Sequence, residues 1–173
     1  EKEIDWDNMK NTIESLYTTW ITVLVDLHSL QVNNQDILDF STTMDQTIIV
    51  IKQENKQETL NALVRLYSFL PKFTEQYAKD PDRTNLYYTK YYILNSYVLV
   101  EQDKWSEMQA NITKAQEYFL NLINKVNENE QKQSKLNKIY VLINELNSAI
   151  SMQDKDIYYI KYKNLMESIS YIS

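Results

Sequence analysis

His28 is the one imidazole in the chain, so any proton relay or metal site that needs histidine has to be built on it. No Glu stands three or four residues away, the spacing at which helical metal sites place a second ligand, and Asp26 would face another side of a helix. A metal site is not expected. The acid pairs Asp36 with Asp39 and Asp103 with Glu107 could in principle act as acid and base in hydrolysis, but each falls where a first helical turn is expected, and acids there favour the helix dipole. Asp5 and Asp7 read as a solvated terminus, because no glycine-bearing calcium loop surrounds them. Cysteine is absent, which removes disulfides, thiolate ligands and a thiol nucleophile. The residue types of common nucleophile–base systems are nearly missing. The expectation is no enzyme, no catalytic residue and no cofactor.

Tyrosine is the remaining source of chemistry. Tyr87, Tyr88, Tyr91, Tyr92 and Tyr97 crowd one segment, and buried phenols need hydrogen-bond partners and often border wet clefts. A groove lined by Tyr88 and Tyr92 with Tyr158 or Tyr159 could stack on a sugar, a peptide or another small ligand. Those four are the ligand-binding candidates. Against them stands composition: Lys, Asn, Ile and Tyr supply 64 of 173 residues and Lys outnumbers Arg sixteen to two, a bias toward AT-rich codons that fills any core with tyrosine.

The elements that must position these side chains are set by an absence. The chain has no glycine, the default residue for φ > 0, so tight hairpin turns, phosphate loops and strand bulges lose their usual residue. What remains is helices joined by Asn, Asp and Ser turns: an all-α antiparallel bundle of helical hairpins, six or seven helices, in a single domain over residues 1–173. Trp6, Met9, Ile13, Leu16, Trp20, Val23, Leu27 and Leu30 alternate in steps of three and four, the seam of a long amphipathic helix. Asn33 and Asn34 are expected to end it, and a second helix opens at Asp36 and runs through Ile51. Asn55 with Glu58 resembles a capping box for a third helix carrying Leu60, Leu63, Tyr67 and Leu70. Pro71 predicts a kink or break near Leu70, with a short helical turn through Phe73 and Tyr77.

Asp80-Pro81 is a strong helix start. The helix after it is apolar around much of its circumference, which predicts the central, most enclosed element. Further seams run from Trp105 to Val126, Leu136 to Ile150 and Tyr158 to Ile172, and the polar run Asn127–Ser134 predicts the longest loop. Trp20 and Trp105, on seams, are expected in the core. Gln53-Glu54-Asn55-Lys56, Glu101-Gln102-Asp103-Lys104 and Met152-Gln153-Asp154-Lys155 repeat a turn pattern at spacings of 48 and 51. That is compatible with stacking like tetratricopeptide arrays; capping by Asn or Asp before Lys in a glycine-free chain explains it as well.

Net charge is −6, and residues 1–54 carry ten acids against three bases. No basic stripe exists to release counterions from a phosphate backbone, so nucleic acid is not an expected partner, nor is an anionic membrane surface. The longest apolar stretch, Ile21 to Leu30, is interrupted by Thr22, Asp26, His28 and Ser29, and is no membrane span. The chain starts at Glu1, which is compatible with removal of an export leader. A cysteine-free chain is equally at home in reducing and oxidising compartments.

Leu66-Tyr67-Ser68-Phe69-Leu70-Pro71-Lys72-Phe73 and the segment Tyr87 to Trp105 resemble helical extracytoplasmic lipoproteins of low-GC Gram-positive bacteria. The resemblance implies an export leader ending in a lipidated cysteine upstream of Glu1 and attachment to the cell envelope; it carries no functional residue. The expected function is a non-enzymatic binding module displayed outside the membrane, whose partner is a protein, peptide or small ligand. The alternative is a signalling domain, either an extracytoplasmic helical sensor or a phosphotransfer module using His28. His28-Ser29-Leu30 is similar to the phosphotransfer motif, although Gln31 and Val32 stand where such domains place a small residue.

Overall fold

Side-chain caps mark the starts of the helices that open at Trp6, Asn34, Lys56, Pro81 and Lys155. Asp5 accepts the Asn8 N–H at 2.9 Å, Asn33 that of Gln35 at 2.8 Å, Asn55 that of Glu58 at 3.1 Å, Asp80 that of Arg83 at 3.0 Å and Asp154 that of Ile157 at 2.9 Å. Each cap satisfies an N–H group that a first turn leaves over. The computed structural model describes residues 3–124 and 130–172, without the side chains of Val25 and His28. It comprises α1 (Trp6–Ser29), α2 (Asn34–Lys52), α3 (Lys56–Tyr67), α4 (Phe69–Phe73), a π-helical turn (Thr74–Ala78), α5 (Pro81–Leu99), a 3-10 turn (Val100–Gln102), α6 (Trp105–Ile123), α7 (Glu130–Met152) and α8 (Lys155–Ser170). Among the described residues there is no strand, and the fold is an all-α helical bundle.

Among the described residues, five helix ends close without glycine. Gln31, Glu54, Lys79, Asp103 and Gln153 all take left-handed backbone, with φ between 52° and 58°. Asn33 caps α2 rather than ending α1, which stops earlier through Gln31. The break expected near Leu70 falls at Ser68. A proline ring collides with the carbonyl four residues before it, and for Pro71 that carbonyl belongs to Tyr67, the last residue of α3.

Chain length predicts one domain; by contact, the helices gather into two compact units, Glu1–Phe69 and Leu70–Ser173. In the first, α2 packs against both α1 and α3. Ile13, Trp20, Ile37, Met44, Ile51 and Leu66 form its core, lined by Met9, Tyr17, Leu24 and Leu27. Trp20 is buried and its Nε1 donates to Ser41 Oγ at 2.8 Å. The α1 seam is narrower than its spacing implies: Leu16, Val23 and Leu30 are exposed, because the covered stripe follows Ile13, Tyr17, Trp20, Leu24 and Leu27 instead.

In the second unit each helix packs on its chain neighbour, α5 on α6, α6 on α7 and α7 on α8. Amide pairs set the direction. Asn95 meets Asn111 and Asn85 meets Asn121 between α5 and α6, while Gln109 meets Asn147 and Gln116 meets Asn144 between α6 and α7. Numbers fall on one helix as they rise on the other, the antiparallel arrangement. Ile93, Met108, Ile112, Phe119, Ile143, Leu146, Tyr158 and Leu165 are fully enclosed, and Trp105 packs against this core. As expected, α5 is the most enclosed of these helices: only Pro81, Asp82 and Arg83 are exposed along it, although its five crowded tyrosines are partly rather than fully buried. The predicted loop is shorter, since Glu130–Ser134 open α7 and Asn127–Asn129 lie outside the described residues. A polar run of Glu, Gln and Lys is built from good helix formers.

Candidate functional site

Tyr88 and Tyr92 stand one turn apart on α5, so their rings leave the same face, and α6 brings Tyr118 to them. The Tyr88 and Tyr118 ring centres lie 4.5 Å apart with planes 20° from parallel; Tyr92 and Tyr118 are 5.7 Å apart at 16°. Tyr88 donates its phenol proton to Glu75 Oε2 at 2.9 Å. Burial, then the bond to the Glu75 carboxylate, pushes the Tyr88 phenol well above its usual range, and burial raises Tyr118 too. Both therefore remain protonated at neutral pH.

The other two expected site residues belong to a separate cluster. Tyr158 is fully buried and its hydroxyl lies 3.0 Å from Ser96 Oγ. Its ring runs nearly parallel to Tyr162, which in turn packs on Tyr97 at 4.5 Å. Tyr159 donates to Glu101. Nine residues separate Tyr88 from Tyr97 along α5, about 13 Å of axial rise, so the four tyrosines do not line one groove. Tyr158 presents no surface to a ligand. Tyr88 and Tyr92 share a face; Tyr159 lies partly exposed in the other cluster.

Beside the Tyr88–Tyr118 stack, the chain changes helical register. The π turn at Thr74–Ala78 is closed by the Lys79 N–H donating to the Thr74 carbonyl at 2.9 Å, and Lys79 takes φ 52° before Asp80 caps α5. Single π turns recur at functional sites because they re-aim side chains. Here the detour opens a cleft of about 350 Å³ lined by Glu75, Lys79, Thr84, Asn85 and Tyr118, together with Asp80 and Pro81.

Thr84 departs from the rule its neighbours follow. Thr43, Thr47, Thr74, Thr89 and Thr113 each donate Oγ1 to the carbonyl four residues back. Thr84 is 7 % exposed and its Oγ1 has no hydrogen-bond partner among the described residues. A buried hydroxyl left unpaired costs about 1–3 kcal/mol.

The acid pairs are engaged structurally. Asp39 accepts from Gln35 at 2.7 Å, Asp103 pairs with Lys155 at 3.1 Å, and Glu107 lies 3.9 Å from Lys104. His28 sits on α1, with its side chain outside the described residues. Among the described residues no group of three or more His, Cys, Asp or Glu is placed to hold a metal, and no helix is long and apolar enough to cross a membrane. Glu75, Thr84, Asn85 and Tyr118 went unread in the sequence, because a π turn has no periodicity signal and Tyr118 lies one residue off the α6 seam.

No family model matches the chain, and neither a curated protein nor a solved structure matches it.

Proposed function

We propose that this chain is a non-enzymatic binding module that takes a small ligand in the cleft between the π turn and α5, and that it serves at the outer face of the cell envelope. Thr84, which lines the cleft beside Tyr118 and whose buried hydroxyl is unpaired among the described residues, carries the binding half of this reading, since a native structure keeps such a group where function offsets its cost. The acids of the cleft are already used as hydrogen-bond acceptors, Glu75 by Tyr88 and Asp80 by the first turn of α5. The envelope half rests on the resemblance of residues 66–73 and 87–105 to extracytoplasmic lipoproteins.

The test is a titration of protein carrying labelled tyrosine rings with sugars, amino acids and short carboxylates. At least one class should shift the Tyr88 and Tyr118 ring signals saturably and leave Tyr158 in place. No shift from any class, or shifts confined to Tyr97 and Tyr162, overturns the reading.

A further inference from the structure

The residues lining the cleft are mixed in a way that narrows the ligand. Lys79 can only donate hydrogen bonds and Glu75 can only accept them, while the Thr84 hydroxyl can do both. Lys79 and Glu75 offset each other in charge. The remaining acid, Asp80, is held by the Arg83 N–H at 3.0 Å and faces the Arg83 guanidinium at 3.7 Å. Asn85 is engaged as well, donating to the Pro81 carbonyl at 2.8 Å and accepting from Asn121 at 3.4 Å. The cleft therefore favours neither an anion nor a cation. What satisfies separate donors and acceptors at once is a set of hydroxyls, each able to give and receive.

Size and surface agree. A volume of about 350 Å³ lies near the lower end of the roughly 300–1,000 Å³ found for ligand pockets, room for one ring. Pro81 and Tyr118 supply an apolar wall against which the C–H face of a ring can lie.

Resting on the binding-module reading, we infer that the cleft binds a single neutral, hydroxyl-rich ring of the sugar class, with Thr84 Oγ1 turned by one χ1 step to exchange hydrogen bonds with it and Glu75 accepting from a neighbouring hydroxyl. A free monosaccharide and the terminal residue of a glycan share this chemistry.

The experiment titrates labelled protein with glucose, galactose, methyl glucoside and maltose, with cyclohexanol, glycine and acetate as contrasting probes. A sugar should shift Tyr118 and Thr84 signals saturably, and cyclohexanol, with one hydroxyl, should not. Binding of glucose or galactose alone assigns a free sugar; retention with methyl glucoside or maltose assigns a glycan end. Thr84→Val should weaken the sugar about tenfold, the effect of one lost hydrogen bond, with Thr84→Ser close to the parent. Glu75→Ala, at an exposed position that leaves folding intact, should weaken it comparably. If glycine or acetate shifts Tyr118 and no sugar does, the sugar class is overturned and the binding module stands. If no probe shifts it, both fail. If Thr84→Val and Glu75→Ala bind the sugar as well as the parent, the assigned contacts are overturned.

Discussion

Lys155 holds its ammonium 3.1 Å from Asp103 Oδ1 and 3.8 Å from Glu101 Oε2, so the α5–α6 turn and the α7–α8 turn, two of the three that share a sequence pattern, meet at one end of the second unit. Their backbones differ by one residue. Gln153 is left-handed and Asp154 caps α8, as Glu54 is left-handed and Asn55 caps α3; at the middle turn Asp103 itself is left-handed and Lys104 takes the cap position without a side-chain bond. Asp103 is exposed and Lys155 partly so, so Lys155→Met should cost less than about 1 kcal/mol. Urea unfolding at low and high salt checks this, and the difference between parent and variant should shrink with added salt.

Left-handed backbone costs a non-glycine residue about 1–2 kcal/mol. Gln153 is exposed and takes this left-handed conformation at φ 56°. Gln153→Gly should stabilise the protein by about 0.5–1 kcal/mol after the added freedom of the unfolded chain is subtracted. Gln153→Val should destabilise it. Thermal melting of both variants decides; a glycine variant that melts lower would contradict the strain.

Of the amide pairs between α6 and α7, Gln109–Asn147 is partly buried and Gln116–Asn144 is exposed. Asn147→Ala leaves Gln109 without its partner and should cost about 1–2 kcal/mol. Adding Gln109→Leu should recover part of that loss, since an apolar pair leaves no orphan. Denaturant midpoints of the two singles and the double give the coupling, and purely additive losses would mean that the pair contributes nothing.

Much of this architecture could be read from the chain. The Asn55, Asp80 and Asp154 caps were visible as residue types in front of apolar periodicity, and Pro71 marked a break that fell three residues earlier for a steric reason. The amide rungs were not visible: Asn and Gln pattern as surface, and the abundance of Asn looked like codon bias, so pairing across helices left no trace in spacing. The helix stops were hidden for a related reason. In a glycine-free chain Gln, Glu, Lys and Asp do glycine's work, and nothing in those letters announces φ > 0. For the site, composition pointed to Tyr88 and Tyr92, but their partner Tyr118 and the Thr84 cleft depend on a π turn that periodicity cannot show.

Alkaline pH provides a separate test of the buried phenols. Burial pushes Tyr158 and Tyr162 above the usual phenol range, with the Ser96 bond opposing it at Tyr158; at Tyr88 burial leads and Glu75 adds to it. The unfolded chain releases these protons near pH 10, while the folded chain retains them. The unfolded state then binds fewer protons, and stability falls as pH rises. The contribution is complete below about pH 10 and is lost progressively above it. Tyr158→Phe should flatten that decline while lowering stability at neutral pH by about 1–2 kcal/mol, because Ser96 Oγ loses its partner. A stability curve level through the alkaline range would contradict the burial of these groups.

The central claim is that Thr84 keeps its hydroxyl for a ligand and not for the fold. Thermal melting of the parent and of Thr84→Val, each with and without saturating sugar, tests it most directly. Without sugar the variant is expected to melt at or above the parent, because an unpaired buried hydroxyl has been replaced by a methyl of similar shape; sugar is expected to raise the parent's melting temperature through its binding and to raise the variant's far less. A variant that melts below the parent and gains as much from sugar would contradict the claim.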